Sequence, residues 1–363
     1  LNQSGIRTVI AARSFKKSDY EKMLHGVRED CPELHDVIII GSPAWDTVAE
    51  PEIDQQRLDE IAARLPPNDD INIQYTSGTT GRPKGATLSH RNLLNNGFFV
   101  GEGINYTEAD RVCIPVPFYH CFAMVLGNLA CTSHGAAMII PAPGFDPAAT
   151  LHAVEAESCT SLYGVPTMFI AELERDDFTD YDTSSLRTGI MAGSPCPETV
   201  MRQVMTQMNM HELSICYGMT ETSPISLQTN VSDPMEQRVS TVGRVGPHLQ
   251  IRVADPATGE ALPRGEAGEL QTFGYSVMKG YWNDPEKTAE AVDEQGWMRT
   301  GDLAVMDEAG YVTITGRIKD MIIRGGENIY PREVEELLYT HPDIIDAQIV
   351  GVPDEKFGEE LLA

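Results

Sequence analysis

The sequence predicts an α/β fold with doubly wound sheets, followed by a smaller β-rich subdomain. From residue 8 to residue 218, short β-branched runs alternate with longer helical patterns, which favours a mostly parallel sheet covered by helices on both faces. Residues 239–315 differ, because their short strands are punctuated by glycine. A chain of 363 residues can bury a sizeable core and hold more than one such unit.

Individual elements follow from local patterns. Helices are predicted at 19–27, 89–99 and 330–341, and another begins at Asp146, an N-cap candidate followed by Pro147. Together the elements predict the α/β part of a large domain (1–238), a β-rich subdomain (239–316), and a hinge with the beginning of a small α+β domain (317–363). Strands are predicted at 8–12, 37–40, 71–75, 112–116, 136–140, 161–165, 213–216, 250–253, 268–272, 311–315 and 344–352.

Residues 75–85 have the composition of a phosphate-binding loop. Three glycines let backbone N–H groups converge on an anion, four Ser and Thr hydroxyls add donors, and a lysine adds positive charge. An apolar run enters the loop and a helical pattern leaves it, which favours phosphate binding over a solvated turn. A Walker-type loop is disfavoured, because Lys84 follows Pro83 and precedes Gly85 in place of Ser or Thr. The candidate ligands are Thr76, Ser77, Gly78, Thr79, Thr80, Gly81 and Lys84.

Two further segments carry carboxylates that suit nucleotide binding. Glu221 lies beside the Thr220 hydroxyl after an apolar run, a pattern that suits magnesium with its phosphates, although an ordinary helix start is the alternative. Asp302 follows a glycine and can accept two hydroxyl protons from a ribose, although Gly-Asp pairs also occur in plain turns. His120 stands on an apolar background, where a lone histidine is more often a packed core residue.

In their order along the chain, these motifs resemble those of the adenylate-forming enzymes, which include acyl- and aryl-CoA synthetases, luciferases and peptide-synthetase adenylation domains. The resemblance extends from residue 76 to residue 331 and is strongest to medium-chain fatty acyl-CoA synthetases. It implies ATP, Mg²⁺ and coenzyme A as cofactors, and a fatty acid that is converted to acyl-AMP and then to acyl-CoA.

The resemblance also implies a role for each candidate residue. Phosphate contacts fall to the loop at 76–84 and to Thr220, and magnesium binding falls to Glu221 with Thr80. His120 is placed beside the substrate carboxylate and the thiol tunnel, and Lys319 at the hinge of the small domain. The remaining implied contacts are adenine with Gly193, Ser194, Tyr217 and Gly218, ribose with Asp302 and Arg317, and pantetheine with the loop of Gly325 and Gly326.

The identity of the acid and of its acceptor stays open at this stage. Residues around the expected acyl site are apolar or small and carry no fixed charge, which favours an aliphatic acid and leaves an aryl acid possible. A carrier protein could replace CoA. The sequence begins without methionine and stops at Ala363, before the lysine-bearing domain found in the family, so we expect a fragment lacking both ends. A nucleotide-binding module without turnover is the remaining alternative.

The amino-acid composition excludes some classes of binding partner and indicates a cellular compartment. With 27 Lys and Arg against 54 Asp and Glu, the net charge is −27, which argues against nucleic acid or an anionic membrane surface. Seven cysteines without a Cys-x-x-Cys pair predict buried free thiols in a reducing compartment, the cytoplasm or, in a eukaryote, the mitochondrial matrix. No apolar run is long enough for a transmembrane helix. The oligomeric state is not specified, and a homodimer stays open.

Overall fold

The computed structural model describes residues 1–49, 53–76, 82–325, 327–339, 341, 344, 347–354 and 356–363. The chain divides into two compact units, Leu1–Asp69 and Asp70–Ala363. Residues 77–81 of the expected phosphate loop and Gly326 lie outside the described residues. In the part of the chain that is described, no helix combines the length and hydrophobicity needed to cross a bilayer. The predicted boundaries at 238 and 316 stay predictions.

Strands and helices are numbered in chain order. Strands β1 to β22 are Thr8–Ala11, Ser14–Phe15, Ser18–Asp19, Asp36–Ile39, Asp70–Thr76, Lys84–Ser89, Arg111–Cys113, Ala137–Ile139, Ser161–Gly164, Thr188–Ala192, Glu212–Gly218, Ile225–Gln228, Arg244–Val245, Leu249–Ala254, Gly268–Gly274, Gly280–Tyr281, Met298–Met306, Val312–Arg317, Ile322–Arg324, Glu327–Ile329, Val350–Asp354 and Gly358–Leu362. Helices α1 to α11 are Tyr20–Val27, Pro43–Ala49, Gln55–Ala62, His90–Gly103, Ala130–His134, Pro147–Ala156, Pro166–Leu173, Glu198–Gln207, Met235–Ser240, Pro285–Ala291 and Pro331–Tyr339, and a π-helical segment spans Phe122–Leu129.

In its described residues (1–49 and 53–69), the first unit contains a parallel pair of strands and the helices α1, α2 and α3. β1 and β4 lie within one residue of the strands predicted at 8–12 and 37–40, and they pair in parallel. α1 begins where the sequence predicted, because the Asp19 side chain accepts a 3.0 Å hydrogen bond from the N–H of Lys22 and so caps the helix. β2 and β3 form a short antiparallel pair.

The larger unit is built on a seven-stranded sheet in the order β13-β12-β11-β10-β9-β7-β8. Strands β7 to β11 are parallel, and β12 and β13 add an antiparallel edge. Successive residues of a strand face opposite sides of a sheet, and Ile190 and Met191 of β10 belong to two separate buried clusters. The sheet is therefore covered on both faces, which confirms the predicted α/β class.

Three antiparallel sheets accompany it among the residues that the structure describes. Their orders are β14-β15-β17-β18, β16-β6-β5 and β20-β19-β22-β21. The first sheet contains the strands predicted at 250–253, 268–272 and 311–315 in the Gly-punctuated region. α6 begins at the predicted Asp146 cap, whose side chain accepts a 2.8 Å hydrogen bond from the N–H of Ala149.

Two expectations about local structure are wrong. The phosphate loop does not lead directly into a helix, because β6 follows it and pairs with β5 on one side and β16 on the other. The small residues of β6 are buried between its neighbours, and α4 starts only after Ser89. The strand predicted at 344–352 begins instead at Val350, and among its earlier residues Ile344 and 347–349 are not in a strand.

All seven cysteines are buried thiols, as predicted.

Candidate active site

Three predicted nucleotide ligands meet at one carboxylate. The Tyr217 hydroxyl, near the end of β11, donates a 2.6 Å hydrogen bond to Oδ2 of Asp302. Nε of Arg317 donates a 3.1 Å hydrogen bond to Oδ1 of the same side chain. Burial, and then the nearby Asp302 charge, raise the pKa of Tyr217 well above its ordinary value, so the phenol stays protonated and donates.

Asp302 is positioned by an irregular strand and not by the predicted tight turn. It lies inside β17 and stands opposite Arg317 of β18. On the other side of β17, residues 300–302 stand opposite Leu270 alone, because the register shifts there. This bulge gives Gly301 a φ of +74°, a conformation that glycine adopts without steric cost. The bulge thus turns the Asp302 carboxylate toward Tyr217.

A cavity of about 750 Å³ opens at this carboxylate. Its size lies in the range of small-molecule sites, and it is found at the carboxyl ends of β10 and β11, where open α/β sheets place their ligands. The predicted residues in its lining are Gly193, Ser194, Tyr217, Gly218, Asp302, Arg317 and Lys319. The structure therefore brings the expected adenine, ribose and hinge residues together.

Two of the glycines in this lining, Gly193 and Gly218, are required for steric reasons. A Cβ on Gly218 would lie 1.8 Å from the carbonyl oxygen of Pro224, and Gly193 has a φ of +91°. Any other residue at these positions would move the chain that borders the cavity.

A second group of predicted residues lies along the segment that continues β11. Glu221 is four residues beyond Tyr217 and is buried, with 4% of its surface exposed. Its Oε1 accepts a 2.7 Å hydrogen bond from the Tyr281 hydroxyl, and Lys84 Nζ lies 3.2 Å from the same hydroxyl oxygen. Two hydrogen bonds thus link the Lys84 ammonium, through the Tyr281 hydroxyl, to the Glu221 carboxylate.

Thr220, the neighbour of Glu221, faces the segment that carries His120. Its Oγ1 lies 3.6 Å from Sγ of Cys121, and burial raises the pKa of that thiol to about 11. Nδ1 of His120 accepts a 3.1 Å hydrogen bond from the N–H of Phe122. His120 is exposed and is not the packed core histidine of the alternative interpretation. Partial desolvation lowers its pKa, which favours the neutral ring.

The donor set of this region fits magnesium only when phosphates are present. Within the described ranges no group of three or more His, Cys, Asp or Glu side chains could hold a metal by itself. Mg²⁺ is commonly bound by one or two carboxylates together with substrate phosphates, and Glu221 can supply one carboxylate. Thr80, the other expected ligand, lies outside the described residues.

Two of the remaining predicted residues are described and lie outside the cavity lining. Thr76 ends β5 opposite Lys84 and borders the undescribed part of the loop. Gly325 lies at the turn between β19 and β20, with a φ of +61°, and is not part of the cavity lining.

Sequence reasoning missed two residues of the site. Tyr281 reaches Lys84 through the pairing of β16 with β6, a contact across 197 positions that no local pattern signals. Glu269 is 5% exposed, and its Oε1 accepts a 3.2 Å hydrogen bond from the N–H of Gly301. Its Oε2 accepts a 3.1 Å bond from the Gln271 amide. Glu269 therefore supports the bulge that presents Asp302.

Fold and site together define an α/β protein with a nucleotide-sized cavity between a parallel sheet and an antiparallel one, and known proteins share this arrangement. The sequence profile of the AMP-binding enzyme family matches residues 1–282. The putative acyl-CoA synthetase YngI of Bacillus subtilis is 49% identical, over 100% of this chain and 70% of its own length. The mitochondrial medium-chain acyl-CoA ligase ACSF2 of Danio rerio is 47% identical, over 92% of this chain and 56% of its own length.

One solved structure with a similar fold contains bound ATP. The ATP-bound crystal structure of MatB from Rhodopseudomonas palustris superimposes with a TM-score of 0.84 at 30% identity, over 99% of this chain and 68% of that one. This chain therefore belongs to the AMP-binding enzyme family, and its curated relatives there are acyl-CoA synthetases and ligases. It spans little more than half of the length of some of these relatives.

Proposed function

We propose that the protein activates a fatty acid of medium chain length and transfers it to CoA. In the first half-reaction a carboxylate oxygen attacks the α-phosphorus of ATP, the bond to the bridging oxygen breaks, and pyrophosphate leaves. In the second, the thiol sulfur attacks the acyl carbon, the thiol proton is released, and AMP leaves. The observation that carries this proposal is the Asp302 carboxylate, held by Tyr217 and Arg317 at the mouth of the cavity.

Asp302 is suited to a ribose because each carboxylate oxygen offers two acceptor sites. Tyr217 and Arg317 occupy one site on each oxygen, so acceptor capacity remains for the two ribose hydroxyls. The adenine would then lie against Tyr217 and the backbone at Gly193 and Gly218, where the absence of side chains allows close approach.

The phosphate end requires charge stabilisation more than covalent chemistry. Lys84 would neutralise the leaving pyrophosphate, and Thr220 would donate to the α-phosphate. Glu221 would hold magnesium, which offsets phosphate charge when bound. Groups positioned in advance for developing charge lower the barrier without reorganisation. The hydroxyls of Ser77, Thr79 and Thr80 remain proposed partners of the same phosphates.

An apolar cluster next to His120 supports an aliphatic acid. The rings of Phe122 and Tyr163 stack at 5.7 Å, and the Tyr163 hydroxyl is already bonded to the carbonyl of Leu126 at 3.0 Å. No charged side chain stands among the proposed wall residues, which are Phe122, Met124, Tyr163, Val165, Pro166 and Gly193. The relative from Danio rerio is named for medium-chain acids. The buried free thiols support a reducing compartment, the cytoplasm or the mitochondrial matrix.

A panel of acids tests the substrate class. The full-length protein is assayed for acid-dependent exchange of labelled pyrophosphate into ATP, with octanoate, palmitate, benzoate and phenylalanine as alternatives. We expect exchange to be greatest with octanoate and absent with phenylalanine. CoA and an acyl carrier protein are then compared as acceptors, and we expect the thioester of CoA. Exchange greatest with benzoate would replace the aliphatic acid by an aryl acid.

A further inference from the structure

Tyr281 stands between the two opposite charges of the phosphate end. Lys84 Nζ lies 3.2 Å from the Tyr281 hydroxyl oxygen and 4.6 Å from the centre of its ring. The same hydroxyl donates a 2.7 Å hydrogen bond to Glu221 Oε1. A phenol has one proton to donate, so the ammonium donates to the phenol oxygen while the phenol donates to the carboxylate. Lys84 and Glu221 are thus linked through Tyr281.

The backbone around Tyr281 is fixed from several sides. Its N–H donates to Oγ1 of Thr288 at 2.8 Å, and the N–H of Trp282 donates to the carbonyl of Gly85 at 2.7 Å. The N–H of Met278 donates to the carbonyl of Glu221 at 2.9 Å. One short segment therefore bonds both the strand that carries Lys84 and the turn that carries Glu221. Tyr281 is itself 6% exposed, so its ring has little room to move.

The Tyr281 hydroxyl keeps the two charged groups from contacting each other directly. It accepts from Lys84 and donates to Glu221, whereas a direct contact between the lysine and the carboxylate would form an ion pair that an incoming phosphate must break.

We propose that Tyr281 is a positioning residue that holds the Lys84 ammonium and the Glu221 carboxylate apart, so that the β- and γ-phosphates with their magnesium find both charges available. The proposal rests on the proposed function, because it assumes that this end of the site binds the phosphates of ATP. It concerns a residue that contributes through Lys84 and Glu221 and does not touch the adenosine.

The test compares two nucleotides in one variant. Tyr281→Phe removes only the hydroxyl and keeps the ring over Lys84. Calorimetry measures the dissociation constants of ATP with magnesium and of AMP for wild type and variant. We expect ATP affinity to fall about tenfold, the scale of one hydrogen bond to a charged group, and AMP affinity to stay within about twofold, since AMP lacks the β- and γ-phosphates.

Tyr311→Phe is the matched control. It removes a hydroxyl that donates a 2.8 Å hydrogen bond to the buried carboxylate of Asp233, a bond of the same kind between the residue before β18 and the turn before α9. We expect both affinities to be unchanged. A cycle with Lys84→Ala adds a second readout: if Tyr281 works through Lys84, the double variant should bind ATP no more weakly than Lys84→Ala alone.

Each outcome decides the matter. Equal ATP affinity in wild type and Tyr281→Phe, or an equal loss for ATP and AMP, would overturn the role of Tyr281, the second because it indicates a structural effect on the whole site. A wild-type protein that binds neither nucleotide would overturn the proposed function and this proposal with it. That failure is distinguishable, because it is seen before any substitution is made.

Discussion

The hydroxyl of Tyr217 donates a 2.6 Å hydrogen bond to Oδ2 of Asp302, 85 positions further along the chain. This bond joins the central parallel sheet to the antiparallel sheet that follows it, since Tyr217 belongs to β11 and Asp302 to β17. The two sheets meet at the cavity. The Asp302 carboxylate, which we assign to ribose binding, therefore also links the two sheets through a hydrogen bond.

Asp302→Ala should weaken AMP and ATP binding to the same extent. Hydrogen bonds to a charged group contribute about 1.5–3 kcal/mol, which corresponds to about tenfold or more in affinity, and both nucleotides share the ribose. Calorimetry with each nucleotide measures the loss. The exposed Glu308, in the turn between β17 and β18, provides the control Glu308→Ala, which should bind as wild type. A loss confined to ATP would place Asp302 at the phosphates.

Glu221→Gln should shift the magnesium dependence of acyl-AMP formation. The amide keeps an oxygen that can accept from Tyr281, so the local structure should survive, but the negative charge that binds the cation is lost. Single-turnover formation of acyl-AMP is measured as magnesium is titrated. We expect a half-saturating concentration at least about tenfold higher, on the scale of one charged contact. An unchanged titration would show that Glu221 is only a buried structural carboxylate.

Glu269→Ala should weaken nucleotide binding without touching the nucleotide. The change removes the acceptor for the Gly301 N–H and loosens the bulge that presents Asp302. Glu269→Gln retains an oxygen at that position and should recover most of the loss. AMP affinity and Tm are measured for both variants. If the loss came from general destabilisation, Glu269→Gln and Glu269→Ala would bind AMP equally weakly when their Tm values are the same.

The buried Glu172 of α7 should make the protein less stable as the pH rises. It is 1% exposed, and neither oxygen has a hydrogen-bond partner among the described residues. Burial raises the pKa of the folded-state carboxyl well above its ordinary value near 4.5. Below about pH 4.5 Glu172 is protonated in both the folded and the unfolded state and does not lower the free energy of unfolding. Above that pH, its contribution lowers the free energy of unfolding by up to about 1.4 kcal/mol per pH unit, until the folded-state pKa is reached.

Glu172→Met removes this titration and fills the same space. We expect its Tm to exceed that of wild type at pH 8 and the difference to shrink toward pH 5. The exposed Glu174, at the end of the same helix, gives the control Glu174→Met, which should leave the pH dependence unchanged. A wild-type Tm that does not fall between pH 5 and pH 8 relative to Glu172→Met would contradict the account.

The sequence predicts part of the candidate site because some of its chemistry is local. A loop of glycines, hydroxyls and a lysine favours phosphate, and a carboxylate beside a hydroxyl after an apolar run suits magnesium. Gly193 and Gly218 were expected at the adenine from the family resemblance, and both line the cavity.

The rest depends on pairing between distant segments. β6 was missed because Gly85 and Ala86 are disfavoured in strands, and only the pairing of this segment with both β5 and β16 makes it a strand. The Tyr281 contact follows from that pairing. The bulge at Gly301 looked like a turn because the residues opposite it, near Leu270, are thirty positions away.

The most direct test of the central claim follows one oxygen atom. Octanoate labelled with ¹⁸O in its carboxyl group is given to the full-length protein with ATP, magnesium and CoA, and the products are analysed by mass spectrometry. Attack of the carboxylate on the α-phosphorus requires one labelled oxygen to leave with AMP. We therefore expect labelled AMP, unlabelled pyrophosphate, and octanoyl-CoA that keeps the second labelled oxygen in its thioester carbonyl. Formation of ADP with the label in inorganic phosphate would contradict adenylation and with it the functional assignment of this site.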